Sequence, residues 1–102
     1  RYLFLGSQQM LDDCRSLSMM NGLDAQFVLA DAQTMHDGHL SVSVQAMLKG
    51  MGKSVVNIVY DADSYDYQRI FGLFMQQPQR QWRIGTYHAA THKIVTDRDV
   101  IS

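Results

Sequence analysis

The sequence predicts an α+β domain, with one or a few short helices lying on a curved antiparallel sheet. Three observations predict it. All ten acidic residues are Asp and none is Glu. Asp favours caps, turns and loops, whereas Glu favours exposed helix faces, so neither a charged helical bundle nor a coiled coil is expected. Residues 40–49 (LSVSVQAMLK) alternate apolar and polar, placing Leu40, Val42, Val44, Ala46 and Leu48 on one face of a strand. His36-Asp37-Gly38-His39 stands just before that run, and Asp-Gly supplies the positive φ that a tight hairpin turn needs.

The elements follow in chain order. Residues 2–5 (YLFL) form an apolar run too short to classify. Residues 6–17 read as a short helix: Ser7 can cap it, and Met10, Leu11 and Cys14 have helical spacing. Asp12 and Asp13 lie early in it, and Asn21-Gly22 ends it. Residues 25–34 are a strand candidate that pairs through the 36–39 turn with 40–49. Gly50-Met51-Gly52-Lys53 is a connection, and the β-branched run 54–60 (SVVNIVY) favours a strand. Residues 61–66 form an acidic turn. Residues 67–76 are ambiguous between helix and strand, and Pro78 breaks the chain. Residues 81–87 are a strand and 93–97 a further candidate. An alternating βαβ order is the other architecture that fits, with helices at 40–50 and 65–76 around strands at 25–31 and 54–60. The period of 2 in residues 40–49 and the short turn favour the antiparallel meander.

Composition narrows the function classes. The 102 residues fit one domain over 1–102, and 46% apolar against 19% charged residues describe a globular chain. The net charge of −1 gives no global field for a nucleic acid. Cys14 is the only Cys, which excludes an intrachain disulfide framework and a multi-Cys zinc site. No apolar run reaches the roughly 18 residues of a membrane span, and no signal peptide is visible. The expectation is an intracellular protein, cytoplasmic or nuclear. The chain starts at Arg1 rather than Met, and the expectation is a chain that is processed, cut from a longer protein or missing its start.

The order of these segments resembles the nuclear transport factor 2-like family. The resemblance is carried by a short helix opening at Gly6, by Asp31-Ala32-Gln33, and by the alternating run ending at Leu48. Tyr67 with Phe71 and then Trp82-Arg83-Ile84 complete it. It implies a cone-like curved sheet that dimerises through its exposed face. Members of the nearest group act in nucleocytoplasmic transport or messenger-RNA export. Two longer helices usually precede the Gly in that family, and Thr86-Tyr87-His88-Ala89 stands where transport members carry other residues.

The candidate functional residues divide by chemistry. Met47, Phe71, Phe74, Met75, Trp82 and Arg83 suit a partner-binding sheet face, because aromatics, Met and Arg are enriched at interface cores. The partner would be a second copy or another protein. Asp31 and His88 are the acid–base candidates for a small-molecule or catalytic variant of the fold. In the βαβ alternative, Asp31 and Asp61 would end parallel strands, and Asp61 and Asp63 could hold Mg²⁺ with a phosphate. His36-x-x-His39 and His88-x-x-x-His92 have spacings found in metal sites, although solvated turn histidines are the plainer reading. Arg80 and Arg83 flank Trp82, a weak nucleic-acid signal. No cofactor is expected.

Overall fold

The computed structural model describes residues 1–31, 35–36, 39–64, 69, 72–76 and 80–102. A strand opens the chain, β1 (Tyr2–Gly6), followed by helix α1 (Gln8–Asn21) and strand β2 (Ala25–Leu29). A two-stranded antiparallel ladder comes next, β3 (Met35–His36) with β4 (His39–Leu40). Helix α2 (Val42–Gly50) leads into β5 (Val56–Asp61). Residues 69 and 72–75 are helical. Strands β6 (Trp82–His88), β7 (Lys93–Val95) and β8 (Val100–Ile101) close the chain.

The domain is α+β with a mixed six-stranded sheet in the order β2-β1-β5-β6-β7-β8. The pairings β1–β2, β1–β5 and β5–β6 are parallel, and only β6–β7 and β7–β8 are antiparallel. The expected all-antiparallel sheet is therefore corrected: its core is parallel, in the alternating βαβ order. A right-handed crossover sets its helix on one face when the chain moves one way across a sheet, and on the other face when it moves back. α1, between β1 and β2, packs with Phe4, Val59, Tyr87 and Ile94. α2, on the way back to β5, packs with Leu3, Leu5, Val28 and Ile58 on the opposite face. The helical stretch after β5 joins that second face through Phe74. The central strands thus receive cover on both faces from within the chain, from α1 on one and from α2 and the helical stretch after β5 on the other.

Residues 40–49 are the second correction. Only Leu40 is in a strand, as the end of β4, and 42–50 form α2. Their alternation hides a helical stripe: Val44, Met47, Leu48 and Met51 fall at i, i+3, i+4 and i+7. Val44, Leu48 and Met51 are buried, whereas Val42 is 82% exposed. A strand would have put Val42 and Val44 on the same face. Ser41 supplies the start signal, its Oγ accepting from the Val44 N–H at 3.4 Å. The unclassified run 2–5 is an interior strand, β1, flanked by β2 and β5, and its Leu3, Phe4 and Leu5 are fully buried. Such continuous burial is what a strand covered on both faces looks like in sequence.

α1 matches its expectation. Ser7 caps it by accepting from the Met10 N–H at 3.2 Å, and Gly22 ends it at φ 64°. Gly6, the last residue of β1, lets the chain turn into α1 with Met10 folded back on it: a Cβ there would collide with the Met10 sulfur.

Candidate active site at the carboxyl edge of the parallel strands

A parallel sheet has a natural site where successive connections leave in opposite directions, outside the carboxyl ends of the strands. Here the chain leaves β1 towards β2 and leaves β5 towards β6, so that point lies between β1 and β5. A crevice of about 160 Å³ occupies it, lined by Ser7, Gln9, Met10, Asp13, Asp61, Tyr87, Ala89 and His92. The β1–α1 junction contributes Ser7, Gln9 and Met10. The end of β5 contributes Asp61. β6 and the turn after it contribute Tyr87, Ala89 and His92.

Asp13 connects these walls. Its Oδ2 accepts a hydrogen bond from Tyr87 Oη and pairs with His92 Nδ1 at 2.8 Å. Partial burial works against the charged carboxylate. The hydrogen bonds from Tyr87 and His92, with the His92 charge, outweigh it and hold the Asp13 carboxyl below the usual aspartate value. An ionised carboxylate only accepts, so Nδ1 must carry the proton. In the neutral ring Nε2 is then the bare nitrogen. The His92 side chain is 72% exposed against 25% for Asp13, and Nε2 makes no hydrogen bond among the described residues. Burial, followed by the Asp13 hydrogen bond and nearby carboxylate charge, pushes the Tyr87 phenol well above its ordinary value, so it serves as a donor. Burial and the charges of Asp13 and Asp61 likewise push the Cys14 thiol up to about 12, which leaves it a core residue with no thiolate chemistry near neutrality.

His92 also has unusual backbone. It sits in the β6–β7 turn at φ 52°, the one positive φ found at a non-glycine residue among those described. Residues held in the left-handed region cost energy and concentrate at functional sites.

The structure distributes the sequence candidates differently. Asp31 follows β2 and lines a separate hollow of about 290 Å³ with Ser41, Ser43 and Met47. β1 stands between β2 and β5, so Asp31 and Asp61 do not share a site. His88 points to the sheet face opposite Tyr87 and pairs with Thr86 Oγ1 at 2.9 Å, so Asp31 and His88 are not brought together. His36 and His39 are cross-strand partners in the small ladder. Asp61 Oδ1 accepts from the Asp63 N–H at 2.9 Å, which closes residues 61–63 as a side-chain turn; residues 65 and 66 of the acidic segment lie outside the described residues. Among the described residues, no group of three His, Cys, Asp or Glu could hold a metal ion.

The partner-face candidates are mostly core. Phe74 is fully buried, and Met47, Met75 and Trp82 pack half-buried against the α2-side core. Arg83 alternates to the other sheet face, and Phe71 lies outside the described residues. Arg80 lies over the Trp82 ring at 5.3 Å and donates to the Leu48 carbonyl at 2.5 Å, which occupies the cation of the suspected nucleic-acid cluster. Among the described residues no helix is long and apolar enough to cross a membrane.

In the sequence Asp13 reads as part of the first helix and His92 as half of a spaced pair, and nothing joins them. The available signal was Asp13 itself, a charge three residues after Met10 and beside Cys14 in the apolar stripe of α1. Comparison with protein-family models, curated proteins and solved structures gave no match.

Proposed function

We propose that the chain carries an acid–base site, in which His92 Nε2 exchanges a proton with a small polar substrate held in the crevice between β1 and β5. One observation carries this reading: the Asp13 carboxylate holds His92 Nδ1 at 2.8 Å at the mouth of the switch-point crevice. A carboxylate on one ring nitrogen fixes the tautomer, leaves the other nitrogen basic and stabilises the imidazolium that forms. The left-handed backbone of His92 in the β6–β7 turn is consistent with it. The parallel order of β2, β1, β5 and β6 supports an alternating βαβ enzyme-like domain rather than a cone. The test is hydrolysis of activated carboxylic and phosphoric esters. Wild type should exceed His92→Ala by about 10²-fold or more, the range of a positioned acid–base group. Equal rates from two folded proteins refute the reading.

A second reading keeps protein–protein interaction through the sheet, as the resemblance to the nuclear transport factor 2-like family implies. It is favoured by the α2-side face of β6–β8, where Ile84 is 49% and Val100 64% exposed. Val95 pairs with Val100 on that face and is half-buried. The occupant would be a second copy of the chain. Light scattering at micromolar concentration tests it, with a monomeric mass as the refuting result. The roles in nucleocytoplasmic transport or messenger-RNA export, and the cone-shaped sheet, rest on the resemblance alone.

A further inference from the structure

We propose that Tyr87 is a positioning residue for the His92 imidazole and acts through Asp13. The inference rests on the acid–base reading above and assigns the group that aims it. Both contacts of Asp13 fall on the same oxygen, Oδ2. A carboxylate oxygen offers two lone-pair directions. The phenol takes one, which confines the imidazole to the other and fixes the direction from which Nδ1 approaches. The remaining ring nitrogen then has a set direction.

The anchoring runs through backbone. Tyr87 is 4% exposed, in the core between β6 and α1. Its N–H and C=O belong to the β5–β6 junction, where the Tyr87 carbonyl accepts from the Ala62 N–H at 3.0 Å. It also pairs with Ile94 across β6–β7. The phenol is therefore held by three strands, whereas the Asp13 side chain can turn about its own bonds on the surface of α1 and His92 is an exposed ring on a turn. Without the hydroxyl, Asp13 can exchange its two oxygens and the imidazole loses its fixed partner geometry. The other groups around the pair are Asp61 at the end of β5, and Cys14 on α1, whose thiol is fully buried. Neither makes a hydrogen bond to Asp13 among the described residues, so the phenol is the donor that can orient it.

The experiment is nitrogen-15 NMR of the imidazole in wild type, Tyr87→Phe and Asp13→Asn, together with the ester rates. Wild type should show neutral His92 protonated on Nδ1. Tyr87→Phe keeps the ring, and its amide spectrum should stay dispersed. His92 should then become a mixture of tautomers, and the rate should fall about tenfold to a hundredfold, the scale of a misplaced group. A role in packing alone would move neither the tautomer nor the rate. Wild-type tautomer and rate in folded Tyr87→Phe overturn the proposal. Should that variant not fold, 3-fluorotyrosine at position 87 keeps the ring and changes the acidity of the phenol. A shift in the His92 titration then supports the proposal, and an unmoved titration overturns it. Asp13→Asn separates the two levels. If it leaves the wild-type tautomer unchanged, the Asp13–His92 reading itself fails. If it changes the tautomer while Tyr87→Phe does not, only the role of Tyr87 fails.

Discussion

The two ends of the parallel sheet use charge in opposite ways. At the amino end, Arg80 Nη2 donates to Leu48 O at 2.5 Å and Arg1 Nη1 donates to Met51 O at 3.0 Å. Both carbonyls lie at the C-terminus of α2, where unpaired C=O groups and the helix dipole favour a cation. Burial, and then the neighbouring Arg1 charge, pull the Arg80 guanidinium below its ordinary value, yet it stays charged near neutrality. At the carboxyl end, Asp13 serves two side chains across a crevice and no backbone group of its own helix terminus. Charge at one end fastens main chain. At the other end Asp61 closes a main-chain turn, while Asp13 arranges side chains around a space. The first pattern is what stability requires, and the second is what chemistry requires.

The largest expected effect tests the first half of that contrast. Arg80→Ala removes the charged donor of the Leu48 carbonyl, leaving it only the Met51 N–H at 3.2 Å, and uncovers the Trp82 ring. Losing a charge-assisted hydrogen bond to a part-buried acceptor, with the packing of the side-chain stem, should cost about 2–3 kcal/mol in urea unfolding. The ester rate per folded molecule should not change. A cost under about 0.5 kcal/mol, the level of an ordinary surface substitution, would show that the amino end is not fastened this way.

The carboxyl end should be sensitive to backbone space rather than to charge. Gly6→Ala drives a Cβ into Met10 Sδ, and Met10 is 2% exposed with little room to retreat. Overpacking of this kind should cost about 1–2 kcal/mol, read as a lower midpoint in thermal unfolding. Since Gly6 joins β1 to α1, the same change should disturb the crevice wall at Ser7 and Gln9.

How far the sequence reveals all this depends on how local the signals are. The Ser7 cap, the Gly22 stop and the apolar spacing of Met10 and Cys14 are local, and α1 is legible from them. The run 40–49 carries two periods at once. Alternation is the more visible, but Leu3, Leu5 and Ile58 needed a covering stripe on their face, and Val44, Leu48 and Met51 supply it. β1 shows no period because it is buried on both faces. The site is illegible for a further reason: Asp13 and His92 are 79 positions apart, and they meet only because β6 runs parallel to β1 with β5 between them. No spacing rule reaches that far.

A third prediction concerns pH. The Asp13 carboxyl sits below its ordinary value in the folded chain, so as pH falls the unfolded chain takes up the proton first. The stability due to Asp13 is complete above the unfolded value, about pH 4, and is lost as pH falls through the lower folded value. Asp13→Asn should therefore flatten the acid limb of the stability curve below about pH 4. Parallel curves for the two proteins would show that Asp13 gains nothing from Tyr87 and His92.

The smallest effect on stability should come from the residue with the largest effect on chemistry. His92→Gly removes the exposed imidazole and its hydrogen bond to Asp13, a loss of about 0.5–1.5 kcal/mol. It also relieves a φ of 52° that glycine adopts freely and other L-residues reach at a cost of about 1 kcal/mol. The two terms oppose each other, so the net change should lie within about 0.5 kcal/mol of zero. In an Asp13→Asn background the charge-assisted hydrogen bond is already weakened, and the same glycine should then be stabilising. This double-mutant comparison separates strain from bonding. If His92→Gly instead destabilises by 2 kcal/mol or more in both backgrounds, far outside the effect expected at an exposed turn, the histidine is a structural fastening like Arg80, and the contrast between the two ends collapses.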